Sequence, residues 1–125
     1  MAKKGRTILI VDDEENIRCL VRSMLDKENT VIEAENGEAA VDMVMRHKPD
    51  LILMDILMPK MDGYTTCNTL KTTLETRMIP IVMFSAVWHE FNMEISSLAG
   101  ANGYMTKPFS QQNLLDTVNR FLKKS

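Results

Sequence analysis

Four short stretches of the chain carry side chains that could do chemistry together: Asp12-Asp13, Asp55, Ser85 and Lys107-Pro108. Three carboxylates brought to one place repel one another, which is costly unless a cation is present. Oxygen-only ligands favour a hard ion, and Mg2+ fits because it keeps waters and takes one or two carboxylates. A lysine and a hydroxyl facing the same point would complete a phosphoryl-transfer site. In such a site a carboxylate attacks while the positive groups spread the charge on the transferring phosphoryl. Asp55 is the candidate nucleophile, since it follows the central apolar run Leu51-Ile52-Leu53-Met54 and the other groups can surround it. Each residue also has an ordinary explanation when taken alone. Asp12-Asp13-Glu14-Glu15 would complement the dipole of a helix N-terminus, Asp55 could be a loop acid, and Lys107 a surface lysine.

The elements that must position these groups alternate five times between strand-like and helix-like stretches. Strands are expected at Thr7–Val11, Thr30–Ala34, Leu51–Met54, Ile79–Phe84 and a short run ending near Met105. Pro80 is tolerable only near the start of its strand. Helical spacing follows each strand: Ile17, Leu20, Val21, Met24 and Leu25; Ala40, Val41 and Val44; Cys67, Leu70 and Leu74; Trp88, Phe91, Ile95 and Leu98; Leu114, Val118, Phe121 and Leu122. Asn36-Gly37 and Asp62-Gly63 open the second and third helices, Gly100-Ala101-Asn102-Gly103 breaks the fourth, and Ser110 caps the last. Strands one, three and four are almost wholly apolar, the mark of strands covered on both faces. Strand–helix alternation with right-handed crossovers gives a doubly wound sheet. Sites in such sheets form beyond the C-terminal ends of the strands, which is where all four stretches fall.

At 125 residues the chain has room for one domain with a full core. Its 45% apolar and 26% charged residues are ordinary for a globular protein. A net charge of −2 argues against a protein whose main business is gripping nucleic acid through phosphates. The basic ends (Lys3, Lys4, Arg6; Lys123, Lys124) read as solvated tails. Cys19 and Cys67 lack metal-ligand spacing and read as reduced, partly buried thiols. No apolar segment approaches the ~20 residues of a membrane span and no signal peptide opens the chain, so a cytoplasmic protein without membrane insertion is expected. Most of the eleven methionines read as core filling.

The sequence resembles the receiver domain of two-component response regulators, the CheY-like family. The matching pieces are Val11-Asp12-Asp13-Glu14, Asp55-Ile56-Leu57-Met58-Pro59 with Met61-Asp62-Gly63, Ser85-Ala86, and Gly100-Ala101 through Tyr104 to Lys107-Pro108-Phe109. They stand in the family's order and spacing and cover essentially the whole chain. The resemblance implies a flavodoxin-like α/β fold: a doubly wound, five-stranded parallel sheet of order 2-1-3-4-5 with five helices. Residues 1–125 would then be a single receiver domain without an output domain. Asp55 would accept a phosphoryl group from a histidine kinase or a histidine phosphotransfer protein, as a stoichiometric phosphoacceptor rather than an enzyme. Asp13, Asp55 and the backbone carbonyl of Leu57 would hold Mg2+, or Mn2+ in its place, with Asp12 acting through water. Ser85 and Lys107 would bind the phosphoryl oxygens, and Ser85 with Tyr104 would form the switch. A cis Lys107-Pro108 peptide is implied as well. A downstream protein would be engaged through the face of the fourth helix, fifth strand and fifth helix, by a monomer or a phosphorylation-dependent dimer with no direct contact to nucleic acid. Trp88 is a candidate for that surface, whereas Phe91 reads as packing.

Leu57 and Val87 border the path of the hydrolytic water in this family. Both are apolar here, which predicts a comparatively long-lived phosphoryl-aspartate. Two other classes use similar parts. A haloacid-dehalogenase-type phosphatase would carry its nucleophile after the first strand as Asp-x-Asp, and this chain offers Asp12-Asp13 there with no room for a cap domain. A flavodoxin-like flavin binder needs hydroxyls and glycines after strand one, where Asp-Asp-Glu-Glu would repel phosphate.

Overall fold

The computed structural model describes residues 5–56, 58, 60–85 and 89–122, with only the backbone described for 89–93. Ten elements alternate as β1 (Thr7–Val11), α1 (Glu15–Leu25), β2 (Thr30–Ala34), α2 (Gly37–His47), β3 (Leu51–Asp55), α3 (Gly63–Lys71), β4 (Ile81–Ser85), α4 (His89–Leu98), β5 (Gly103–Thr106) and α5 (Gln111–Leu122). The five strands form one parallel sheet in the order β2-β1-β3-β4-β5. Every residue of β1, β3 and β4 is buried, which explains their unbroken apolar runs. The edge strands β2 and β5 are only partly covered.

Two cores follow from the alternation of side chains across the sheet. On one face Ile8, Ile10, Leu53, Val82 and Phe84 pack under α1 and α5, which contribute Val21, Leu25, Leu114 and Val118. On the other face Leu9, Val11, Met54 and Met83 pack against Ala40 and Val44 of α2 and Cys67 and Leu70 of α3. The helices start where their capping residues allow. Asn36 and Asp62 each accept a backbone N–H from three residues on, at 2.8 Å, and Ser110 accepts one from Asn113 at 3.0 Å.

Several boundaries and faces differ from the sequence reading. β4 begins at Ile81 rather than Ile79: Pro80 lends its carbonyl to Ile52, and the ladder starts one residue later, where the Asn102 side chain receives the Ile81 N–H. The strands run further at their other ends, so that Asp55, Ser85 and Thr106 are themselves strand residues. α3 stops at Lys71, where the hydroxyls of Thr72 and Thr73 bond back to carbonyls of Asn68 and Thr69. Leu74 therefore lies beyond the helix and is 71% exposed, and Leu98 at the end of α4 is 77% exposed. Leu20 is also exposed. The two thiols are not alike: Cys19 is exposed and Cys67 fully buried. Met54 and Met83 fill the core, whereas Met78 is exposed. Among the described residues no helix is long and apolar enough to cross a membrane.

Candidate functional site

Sheet register brings the acids together. β1 and β3 are neighbours paired from Ile8–Leu51 to Val11–Met54, so the next residues, Asp12 and Asp55, stand side by side at the rim of the sheet. One carboxylate oxygen from each of Asp12, Asp13 and Asp55 lies within 4.8 Å of the other two. Asp12 has no exposed surface and Asp55 only 5%, whereas Asp13 is exposed at the mouth.

Asp12 is fully engaged. Its Oδ1 accepts the Glu14 N–H at 2.8 Å and its Oδ2 accepts from Lys107 Nζ at 3.0 Å. The acidic run does lead into the N-terminus of α1, with Glu14 at the N-cap and Glu15 in the first turn, although no side chain caps the helix. Lys107 arrives from the loop after β5 and stands 3.4 Å from Asp55 Oδ1 as well. Its ammonium lies 5.1 Å from the centre of the Phe84 ring, which is itself met edge-on by Phe109. Phe84 is paired with Asp55 across the β3–β4 ladder. A buried Phe84 ring, met by the partly buried Phe109, therefore lies against the lysine that reaches the acids. The Lys107-Pro108 peptide is cis.

The electrostatics are those of a crowded anionic pocket. Burial, then the charge of Asp12, drives the Asp55 carboxyl up to about 6, against the opposing pull of Lys107. Burial likewise raises Asp12, although the Glu14 N–H and Lys107 oppose it. For Lys107, burial alone would lower the ammonium; its hydrogen bond to Asp12 and the charge of Asp55 outweigh that and raise it. One lysine does not balance three carboxylates. The donor set is all oxygen and short two positive charges, which fits a hard divalent cation.

Ser85 ends β4 beside β3 and is buried, and the Lys107 N–H bonds to its backbone carbonyl at 3.0 Å. Tyr104 pairs with Met83 across the β4–β5 ladder. By alternation Ser85 and Tyr104 lie on the same face of the sheet, the one covered by α2 and α3, where Tyr104 packs in the core cluster. Gly63 completes the floor: a Cβ there would collide with the backbone of Asp55 and Ile56. Leu57, Val87 and Trp88 lie outside the described residues, as does the side chain of Phe91. Sequence reasoning missed Phe84 and Arg18. Phe84 figured there only as the end of the fourth strand, and Arg18, whose guanidinium donates to the Asp12 carbonyl at 2.8 Å, was not singled out.

The model of the response regulator receiver domain matches residues 8–119. The chain belongs to that family. This receiver domain is 38% identical over 119 residues to the chemotaxis protein CheY of Halobacterium salinarum, covering 94% of the chain and 98% of that protein. It is 39% identical over 122 residues to the alkaline phosphatase synthesis transcriptional regulatory protein PhoP of Bacillus subtilis, covering 97% of the chain but only half (50%) of that relative. A solved receiver domain of a sensor histidine kinase from Pseudomonas aeruginosa, with a magnesium ion coordinated in its active-site cleft, superposes with a TM-score of 0.89 at 29% identity, covering 96% of this chain and 99% of that one. The receiver domain is thus a two-component signalling module of the CheY-like fold.

Proposed function

We propose that the receiver domain is a stoichiometric phosphoacceptor, switched by phosphorylation of Asp55. The observation that carries this is the convergence of one oxygen each from Asp12, Asp13 and Asp55 within 4.8 Å, with Lys107 bridging Asp12 and Asp55. A phosphohistidine of a histidine kinase or a phosphotransfer protein is the donor. An Asp55 carboxylate oxygen attacks its phosphorus as the P–N bond breaks, and the imidazole keeps the electron pair and takes up a proton. Lys107 and the Ser85 hydroxyl receive the phosphoryl oxygens and spread the charge that develops there. Asp13 and Asp55, together with the carbonyl of Leu57, would hold Mg2+ or Mn2+, with Asp12 contributing through water. The bound ion supplies positive charge beside the transferring group. The magnesium held by the Pseudomonas relative supports this assignment.

Once Asp55 carries the group, Ser85 turns toward it and Tyr104 follows on the same face of the sheet. The surface of α4, β5 and α5 then changes, and a downstream protein, or a second copy of the chain, binds there. No turnover of a small substrate is involved, and the protein works in the cytoplasm. The deciding experiment is incubation with Mg2+ and acetyl phosphate followed by intact mass measurement. One added phosphoryl group in the native protein, none in Asp55→Asn and none with chelator is the expected result. Labelling that survives Asp55→Asn, or continuous hydrolysis of a phosphate ester, would overturn it.

A further inference from the structure

Glu33 is an acid in an apolar place. β2 pairs with β1 so that Val31 lies beside Ile8 and Glu33 beside Ile10, on the face that α1 covers. Two arginines one turn apart on α1 make this tolerable. Arg18 Nε donates to Glu33 Oε1 at 2.9 Å and Arg22 Nε to Oε2 at 2.7 Å. Burial would raise the Glu33 carboxyl, yet the hydrogen bonds from Arg22 and Arg18 outweigh it and hold the group below its ordinary range.

The two arginines differ in one respect. Arg18 is mostly buried, and its second nitrogen donates to the backbone carbonyl of Asp12 at 2.8 Å. Arg22 stays on the surface side, with 40% of its side chain exposed. The Asp12 N–H is bonded to the Ala34 carbonyl at 3.1 Å. Main-chain polar groups on both sides of residue 12 are therefore held: the amide by β2, the carbonyl by Arg18. That carbonyl belongs to the peptide unit that leads into Asp13, so its direction constrains the backbone from which the exposed Asp13 carboxylate projects.

We infer that Arg18, braced by Glu33, is a positioning residue that fixes the Asp12–Asp13 peptide for cation binding. This rests on the proposed cation-dependent phosphorylation of Asp55. Glu33 holds both guanidinium groups at the back of the turn, and Arg18 acts on the acidic turn through its hydrogen bond to the Asp12 carbonyl. Groups that orient metal ligands from behind typically contribute 10–100-fold to metal affinity or activity.

The test is calorimetric titration of Mg2+ and Mn2+ into the native protein and into Arg18→Ala, Arg18→Gln and Arg22→Ala, with thermal unfolding of each. Acetyl phosphate labelling is followed against Mg2+ concentration. Arg22→Ala loses a bond to the same glutamate without touching Asp12, so it reports purely structural damage. Arg18→Ala is expected to weaken cation binding about tenfold and to raise the half-saturating Mg2+ for labelling by the same factor. Its labelling rate at saturating Mg2+ should stay within about threefold of native, and Arg22→Ala should bind the cation normally. Arg18→Gln, which keeps one donor but cannot reach both partners, falls between and serves if the alanine variant does not fold. Equal weakening in Arg18→Ala and Arg22→Ala, or native affinity in both Arg18 variants, overturns the inference while leaving Asp55 chemistry intact. A native protein that neither binds the cation nor takes label would instead remove the reading on which the inference rests.

Discussion

Replacing Asp55 by asparagine should make the cation-free protein more stable, although it removes the proposed phosphoacceptor. Asp55 is buried, and that burial, with the charge of Asp12 and in lesser part Asp13, raises its pKa from 3.8 to about 6 against the pull of Lys107. Each pKa unit corresponds to about 1.4 kcal/mol, so keeping this carboxylate ionised at neutral pH costs the fold about 3 kcal/mol relative to a neutral side chain of the same shape. In a domain of this size each kcal/mol moves Tm by roughly 4 °C. The variant should therefore melt roughly 10 °C higher at pH 7.5 in the presence of chelator. The sign reverses the usual carboxylate case. Because the folded value is raised, the stabilisation tied to protonated Asp55 is complete below 3.8 and is lost as pH climbs through about 6. The lead of the variant should shrink steadily as pH falls from 7.5 to 4.5. Saturating Mg2+ at pH 7.5 should shrink it too, by binding the full set of acids in the native protein. Paired thermal and urea unfolding across this pH range measures both effects. A variant no more stable than native at pH 7.5 without divalent cation, or a lead that persists undiminished at pH 4.5, would show that the pocket is not under the anionic load described.

Lys107→Met removes the opposing positive charge, so the Asp55 carboxyl should titrate above about 6, followed by carboxyl carbon NMR; an unmoved or lower value contradicts the 3.4 Å pairing. Gly63→Ala should cost roughly 1–3 kcal/mol in urea unfolding, because its methyl group meets the Asp55 and Ile56 backbone; a neutral effect would mean that the start of α3 can back away. A thiol reagent should modify Cys19 in the native protein and reach Cys67 only after unfolding, since burial pushes the Cys67 thiol up to about 11. Two fast-reacting thiols in the folded state would refute that burial.

Much of this architecture was legible because hydrophobic pattern and function point the same way. Unbroken apolar runs mark β1, β3 and β4, and the acids and hydroxyl follow those runs directly, so the strand tips and their chemistry are read together. Element ends were less readable. Leu74 continues the helical spacing of Cys67 and Leu70, yet threonine hydroxyls bonding back to the main chain end α3 before it. Leu98 likewise keeps the period of α4 and faces solvent. Support for the site was the least readable part. Phe84 is indistinguishable by type from any core residue, and its place under Lys107 comes from pairing across the sheet. Arg18 meets Glu33 fifteen residues away and the Asp12 carbonyl six residues away, distances at which local periodicity carries no information.

The β1–β3 ladder has one further consequence. Four consecutive main-chain pairings fix which residues emerge beside each other at that rim, so the closeness of Asp12 and Asp55 belongs to the backbone and not to side-chain preference. Redesigning the surrounding loops cannot separate two acids that leave adjacent strands in step. A less anionic version of this pocket is reachable only by exchanging one of the acids themselves, whereas turns at the opposite rim are free to lengthen or diversify without altering its electrical character.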